Sequence, residues 1–324
     1  KPKNMIQIIT LLITIISLIT PVFALIFLGA ALQAGSFFSE NFLKEMNQFI
    51  YKISLPCLVF YKLIERPISN GLFSTTSILA IGLTLFSILG TWLIASRFSK
   101  NEDKAPFAQG CYRSNYAIIG LVLASEFFGQ AGLREATILL SLTVPLYNLA
   151  AVFLLERYSE KPIKLGLFII SFLKSPITLA CFLGLGFSVM ELSMPNPLLT
   201  SIQFLSQVTL PLALISIGSK LLTGPSLIGT SNKALLCVFI KLIIMPFLFV
   251  LAGLIIQVPP LQLGILFLLG ASPTSVASYV MTQSYGANDM LIGRVVVLST
   301  LASSISISIG LTILSFLNLI PAFS

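Results

Sequence analysis

Apolar runs of about twenty residues recur along the whole chain, and no other feature constrains its fold as much. A run of that length with few charges reads as a membrane-spanning helix. Ten are counted, at about residues 5–32, 47–63, 74–96, 107–129, 136–155, a sixth ending near Met190, 198–222, 234–257, 261–285 and 291–319. The stretch 165–173 ahead of Lys174 reads either as the entry to the sixth or as an interfacial segment. Lys1 and Lys3 before the first run resemble the start of a signal peptide. That run is too long for one and has no clear small-x-small cleavage site, so it counts as a span. With 56% hydrophobic and 9% charged residues in 324, the chain reads as an all-α integral membrane protein.

Charge then orients the spans. The net charge of +8 is spread through short loops and never clusters with aromatics, so no nucleic-acid partner is expected. The loops after spans three, five and seven hold Arg97, Lys100, Lys104, Arg157, Lys161, Lys164, Lys220 and Lys233, with Lys44 and Arg294 near span ends on the same side. The opposite side has Lys1, Lys3, Arg66 and Arg134. Positive loops stay inside, so both termini are expected outside a multi-pass protein of the cytoplasmic (inner) membrane. Lys241 in span eight and Lys174 are expected to snorkel to the surface or pair with lipid phosphate.

Two spans are interrupted. In the fourth, Gly110-Cys-Tyr-Arg-Ser-Asn-Tyr-Ala-Ile-Ile-Gly120 puts Arg113, Ser114 and Asn115 at mid-membrane, where a charge costs at least about 3 kcal/mol. Glycine weakens a helix, and Asn competes for its backbone hydrogen bonds. In the ninth, Gly270-Ala-Ser-Pro-Thr-Ser-Val-Ala-Ser-Tyr279 carries Pro273, which removes a donor and disfavours helix before it. One reading is a pair of kinks whose polar groups glue neighbours together, with Ser272, Thr274 and Ser275 serving the freed backbone. The other is two half-helix starts facing one pocket, which suits an anion.

The halves resemble each other. Ser54-Leu-Pro56 and Thr209-Leu-Pro211 lie 155 residues apart, and Ser114 and Ser272 lie 158 apart. The broken spans end at Phe128-Gly129 and Tyr285-Gly286. Five spans per half is odd, so the second repeat (157–324) is expected inverted relative to the first (1–156). Inverted repeats with matching interruptions point to the site of a secondary transporter.

Arg113-Ser-Asn-Tyr-Ala-Ile-Ile-Gly120 with Phe128-Gly129 resembles the fourth-helix signature of the auxin efflux carrier family. Ser272-Pro-Thr-Ser-Val-Ala-Ser-Tyr279, Tyr285-Gly286 and Val297-Leu-Ser-Thr300 resemble its ninth and tenth helices. Ser175-Pro176, Leu210-Pro211-Leu-Ala-Leu214 and Gly218 fit the sixth and seventh. The family includes plant auxin exporters and bacterial permeases for malate or malonate. The resemblance implies the fold of bile-acid symporters and sodium/proton antiporters, with helices four and nine crossing at unwound centres. It makes Asn115 the carboxylate contact and Ser272, Pro273 and Thr274 the second crossover. Helices one, two, six and seven would form a scaffold, and three to five and eight to ten a moving core. The family's lysine before the aromatic-glycine pair of span nine is here Gln283.

Elimination narrows the rest. Without histidine, Ser-His catalysis and HExxH zinc sites are excluded. The four cysteines lack metal spacing, and neither enzyme activity nor any metal or cofactor is expected. Asp103 and Asp289 lie in or beside loops, which leaves Glu126 as the carboxylate nearest a broken span, at its core or at its interface end. The expected substrate site is Arg113, Ser114, Asn115, Tyr116, Tyr147, Asn148, Ser272, Pro273, Thr274 and Ser275, with Glu126 and Gln283 as ion-coupling candidates. The expected partners are a small organic anion and the bilayer, and a homodimer is compatible with the sequence. A sensor that kept the pocket, or a sodium-coupled symporter, is the competing expectation.

Overall fold

The computed structural model describes residues 20–21, 24–65, 74–158, 174, 176–223 and 231–321, and among these the secondary structure is helical apart from one isolated bridge. Most of the first run, the stretch 165–173 and the side chains of Lys1, Lys3, Arg66, Lys161, Lys164 and Lys220 lie outside the described residues. The helices are α1 (Ala24–Ala34), α2 (Glu40–Phe49), α3 (Leu55–Ile64), α4 (Thr75–Phe98), α5 (Asn101–Tyr112) and α6 (Leu121–Arg157). They continue with α7 (Pro176–Val189), α8 (Asn196–Gln207), α9 (Thr209–Thr223), α10 (Asn232–Phe239), α11 (Met245–Ile255), α12 (Pro260–Ala271), α13 (Val276–Ser284) and α14 (Asp289–Phe316).

Among the described residues five stretches are long and apolar enough to cross a membrane: Thr75–Phe98, Leu121–Arg157, Asn196–Ser216, Asn232–Ile255 and Asp289–Phe316. Pro260–Ala271 is apolar but shorter, because its span is interrupted at Ser272-Pro273. Three helix starts carry side-chain caps. Ser39 Oγ accepts from Phe42 N at 3.1 Å, Ser74 Oγ from Ser77 N at 3.1 Å, and Asn288 Oδ1 from Leu291 N at 3.0 Å. Each satisfies a donor that the first turn leaves orphaned.

Three π-turns shape the membrane helices. Ile50–Ser54 joins α2 to α3 and Ile240–Ile244 joins α10 to α11. Both end one residue before the residue that precedes a proline, Pro56 and Pro246. A proline ring clashes with the carbonyl four residues back, and widening the turn moves that carbonyl aside without ending the helix. The third, Tyr116–Gly120, opens the helical segment that follows the break in span four. Within α6 the chain turns at Gly129 (φ 60°, ψ −154°), a region essentially restricted to glycine. The helix therefore divides there, as the Phe128-Gly129 pair suggests.

Packing joins α3 to α7 and α8, and α4 to α5 and α6. Helix α5 also meets α10 and α14, while α12 lies on α6 and α11. The buried side chains form two clusters, one with Tyr112 and Val276, the other with Tyr116 and Ala271, so both chain breaks lie at their boundary. At one end of the molecule Lys233 Nζ stands 2.5 Å from Asp103 Oδ2, and Asn288 Nδ2 donates to Asp103 Oδ1 at 2.7 Å. This ties the starts of α5, α10 and α14 together.

Helices α1 and α9 approach to backbone contact. A Cβ at Gly218 would lie 1.9 Å from Ile26 O, and one at Gly29 would lie 2.1 Å from Ile215 O. Small residues allow such approach in membranes, where packing drives helix association. Gly218→Val is expected to force α1 off α9, at a cost of at least about 3 kcal/mol on the scale of severe overpacking. Loss of the monodisperse folded peak in detergent chromatography is the expected readout, and an unchanged peak with unchanged melting would contradict the contact.

Candidate crossover site

The site begins where two helices stop. Helix α5 ends at Tyr112, and Arg113 is extended (φ −84°, ψ 104°). Helix α12 ends at Ala271, and Ser272 takes φ −57°, ψ 137°, the extended conformation that a following proline imposes. The two broken segments then pair as a single antiparallel bridge, Ser114 against Thr274. Asn115 N donates to Pro273 O at 2.7 Å and Ser275 N to Arg113 O at 3.0 Å. The backbone groups freed by each break are thus met by the other break, as the lack of water in a bilayer demands.

The hydroxyls finish this pairing. Ser114 Oγ donates to Leu269 O at 2.6 Å, and Thr274 Oγ1 donates to Gly110 O at 2.6 Å. Each bridging residue therefore caps the carbonyl end of the opposite half-helix. Thr274 N donates to Ser299 Oγ at 3.1 Å, and Ser272 Oγ bonds back to Leu268 O at 2.7 Å. Helical segments restart at Tyr116 and Val276, and no side chain caps either start. Their first N–H groups carry the positive end of the helix dipole.

Beside the bridge lies a cavity of about 100 Å³. Its polar wall is Arg113, Ser114, Asn115, Tyr147, Asn148, Thr209 and Ser275. Its apolar wall includes Leu55, Leu58 and Val59 of α3, Leu210 and Ala213 of α9, and Val276 and Val280 of α13. No carboxylate stands in this wall. Arg113, 4% exposed, donates through Nη2 to Asn148 Oδ1 and lies 2.8 Å from Met281 Sδ. The ring of Tyr147 stacks on Tyr112 with centroids 5.9 Å apart.

The structure thus gathers six of the sequence-derived residues at one cavity. The other four stand elsewhere. Ser272, Pro273 and Thr274 build the crossing, and Tyr116 is buried in the second cluster. Glu126 is exposed on the outer surface. Gln283, at the end of α13, donates to Asp289 Oδ2 at 3.3 Å.

One sequence expectation is overturned. Lys241 does not snorkel: it is 1% exposed, and its Nζ donates to Ser114 Oγ at 2.5 Å and to Gly270 O at 3.0 Å. The physical reason is that the crossing brings neutral oxygens within reach of the ammonium, so it is satisfied without reaching the surface. Glu156, which no sequence motif singles out, is 4% exposed and accepts from Tyr285 OH at 3.3 Å, with Tyr51 OH bonded to Tyr285 OH at 3.1 Å.

Several apolar helices around a crossing of two interrupted ones define a multi-pass membrane protein of the transporter class. A family model described as membrane transport protein matches residues 14–311. The chain belongs to that family, the auxin efflux carrier family whose motifs it resembles. No curated protein matches the chain.

Proposed function

We propose that the chain is a secondary carrier for a small organic anion, a carboxylate with an apolar body, working by elevator-like alternating access. The observation that carries this reading is the cavity wall. Two uncapped helix starts, the Arg113 guanidinium and the Asn115 amide border it, and no carboxylate lines it. Such an end favours a carboxylate. The leucines and valines opposite favour a hydrocarbon body, and disfavour a second charge that would be buried without a partner.

Ten spans in two inverted repeats, 1–156 and 157–324, fit this reading. The antiparallel bridge between the breaks supports the inverted arrangement. So does the contact between Ser54 Oγ and Thr209 Oγ1 at 2.5 Å, since these hydroxyls occupy matching places in the two Ser/Thr-Leu-Pro motifs. A scaffold of spans one, two, six and seven agrees with the packing of α3 on α7 and α8, and a moving core agrees with that of α5 on α10 and α14. The cavity lies between these groups, as an elevator requires. The Lys233, Lys104 and Arg157 end faces the cytoplasm by the charge rule, placing the carrier in the inner membrane with both termini outside.

The test is a thermal-shift screen of carboxylates on the purified protein. Ligand that binds only the folded state raises its melting point. A monocarboxylate with an apolar body is expected to give a saturable upward shift, and a dicarboxylate of the same length a smaller one. Stabilisation by amines or neutral sugars alone would overturn the reading.

A further inference from the structure

The Lys241 ammonium stands at the crossing on two neutral oxygens. The carbonyl end of half-helix α12 points at the crossing, and Gly270 O accepts from Nζ at 3.0 Å. Ser114 Oγ spends its proton on Leu269 O at 2.6 Å, so it offers Lys241 a lone pair at 2.5 Å. Unwound carbonyls and half-helix C-terminal ends are the groups that coordinate small cations in discontinuous membrane helices. Among the described residues no carboxylate pairs with this ammonium, so its partners are neutral oxygens. The matching end of α5 is treated differently. There Gly110 O is met by the Thr274 hydroxyl, and among the described residues no lysine accompanies it.

The geometry points to Lys241 as a tethered cation that permanently fills an oxygen seat at the crossing, making the carrier independent of sodium and other small inorganic cations. This rests on the transport reading for its meaning, but not for its test. The lysine is a positioning residue: it holds Ser114 and the α12 terminus beside the cavity without lining it. A charge covalently held at the crossing adds no inorganic cation to the cycle, and its field still favours an anion next to Ser114.

The experiment uses thermal unfolding of the full chain, purified in sodium chloride and exchanged into choline chloride. Wild type is expected to melt within about 1 °C in the two salts, since it has no seat to fill. Lys241→Ser removes the ammonium and opens room for an ion with water. It is expected to lose at least roughly 4 °C in choline and to recover in a saturable way with sodium or lithium. Lys241→Met keeps the length and fills the room with an apolar chain, so it is expected to be destabilised equally in both salts. Sodium-dependent stabilisation of wild type would overturn the proposal. So would a Lys241→Ser protein that cannot be recovered even from sodium, or one that melts alike in sodium and choline. Anion binding is not read in any arm, so failure of the carboxylate screen and failure of this proposal are separate results.

Discussion

Asn115→Ala is expected to weaken carboxylate binding roughly ten- to a hundredfold while leaving the protein folded, the range set by losing one hydrogen bond to a charged ligand. The two consequences separate because the residue plays two parts. Its backbone N–H makes the bridge to Pro273 O at 2.7 Å, and alanine keeps that bond. Its side-chain amide borders the cavity and makes no cap to the helix start behind it. Truncation therefore removes a ligand contact and leaves the crossing intact. Isothermal titration with the best carboxylate from the screen, together with a melting curve, reads both effects. Unchanged affinity would take Asn115 out of the site. Loss of folding would show that the amide supports the crossing instead.

Pro273→Ala is expected to lower transport at least tenfold with a smaller effect on melting. Proline ends α12 because it offers no N–H to continue the helix. An alanine at 273 regains that donor, and its helical acceptor four residues back is the carbonyl of Leu269. That carbonyl already accepts from Ser114 Oγ at 2.6 Å. Extending α12 by one residue thus competes with the hydroxyl that caps it, frees Ser114, and pulls Pro273 O away from Asn115 N. The backbone bond gained offsets part of the one lost, which is why stability falls less than activity. Counterflow of labelled carboxylate in proteoliposomes is the readout. A variant that is destabilised yet transports at the wild-type rate would reduce Pro273 to a kink.

Much of this was legible in the sequence for definite physical reasons. Polar residues and proline inside apolar runs are costly, so Arg113-Ser-Asn115 and Ser272-Pro-Thr274 stand out as the places where helices stop. The Phe128-Gly129 pair marks a real division because Gly129 adopts a backbone conformation reserved for glycine. What the sequence did not show was the division of labour among adjacent hydroxyls. Ser114, Ser272, Thr274 and Ser275 look alike in sequence. Three of them spend their protons on carbonyls of the crossing, and only Ser114 and Ser275 reach the cavity. The apolar wall was also hidden, because Leu55, Leu210 and their neighbours are ordinary membrane residues until the fold sets them opposite Asn115. Lys241 was misassigned because the oxygens that satisfy it, Ser114 Oγ and Gly270 O, come from distant parts of the chain that only the fold brings beside it. Glu156, near the end of its span, gave no signal of burial, since a carboxylate at a helix terminus normally lies in solvent.

Flux under separately imposed gradients tests the central claim most directly. The protein is reconstituted into liposomes with a labelled carboxylate that shifts its melting point, and sodium, proton and electrical gradients are applied one at a time. A potential of 100 mV acting on one charge is worth roughly 2.3 kcal/mol, enough to concentrate a monovalent anion about fiftyfold. Accumulation on the positive side, set by the potential and unmoved by sodium, is the predicted result. Binding without flux would make the protein a receptor, and accumulation driven by an inward sodium gradient at zero potential would contradict the account of the crossing.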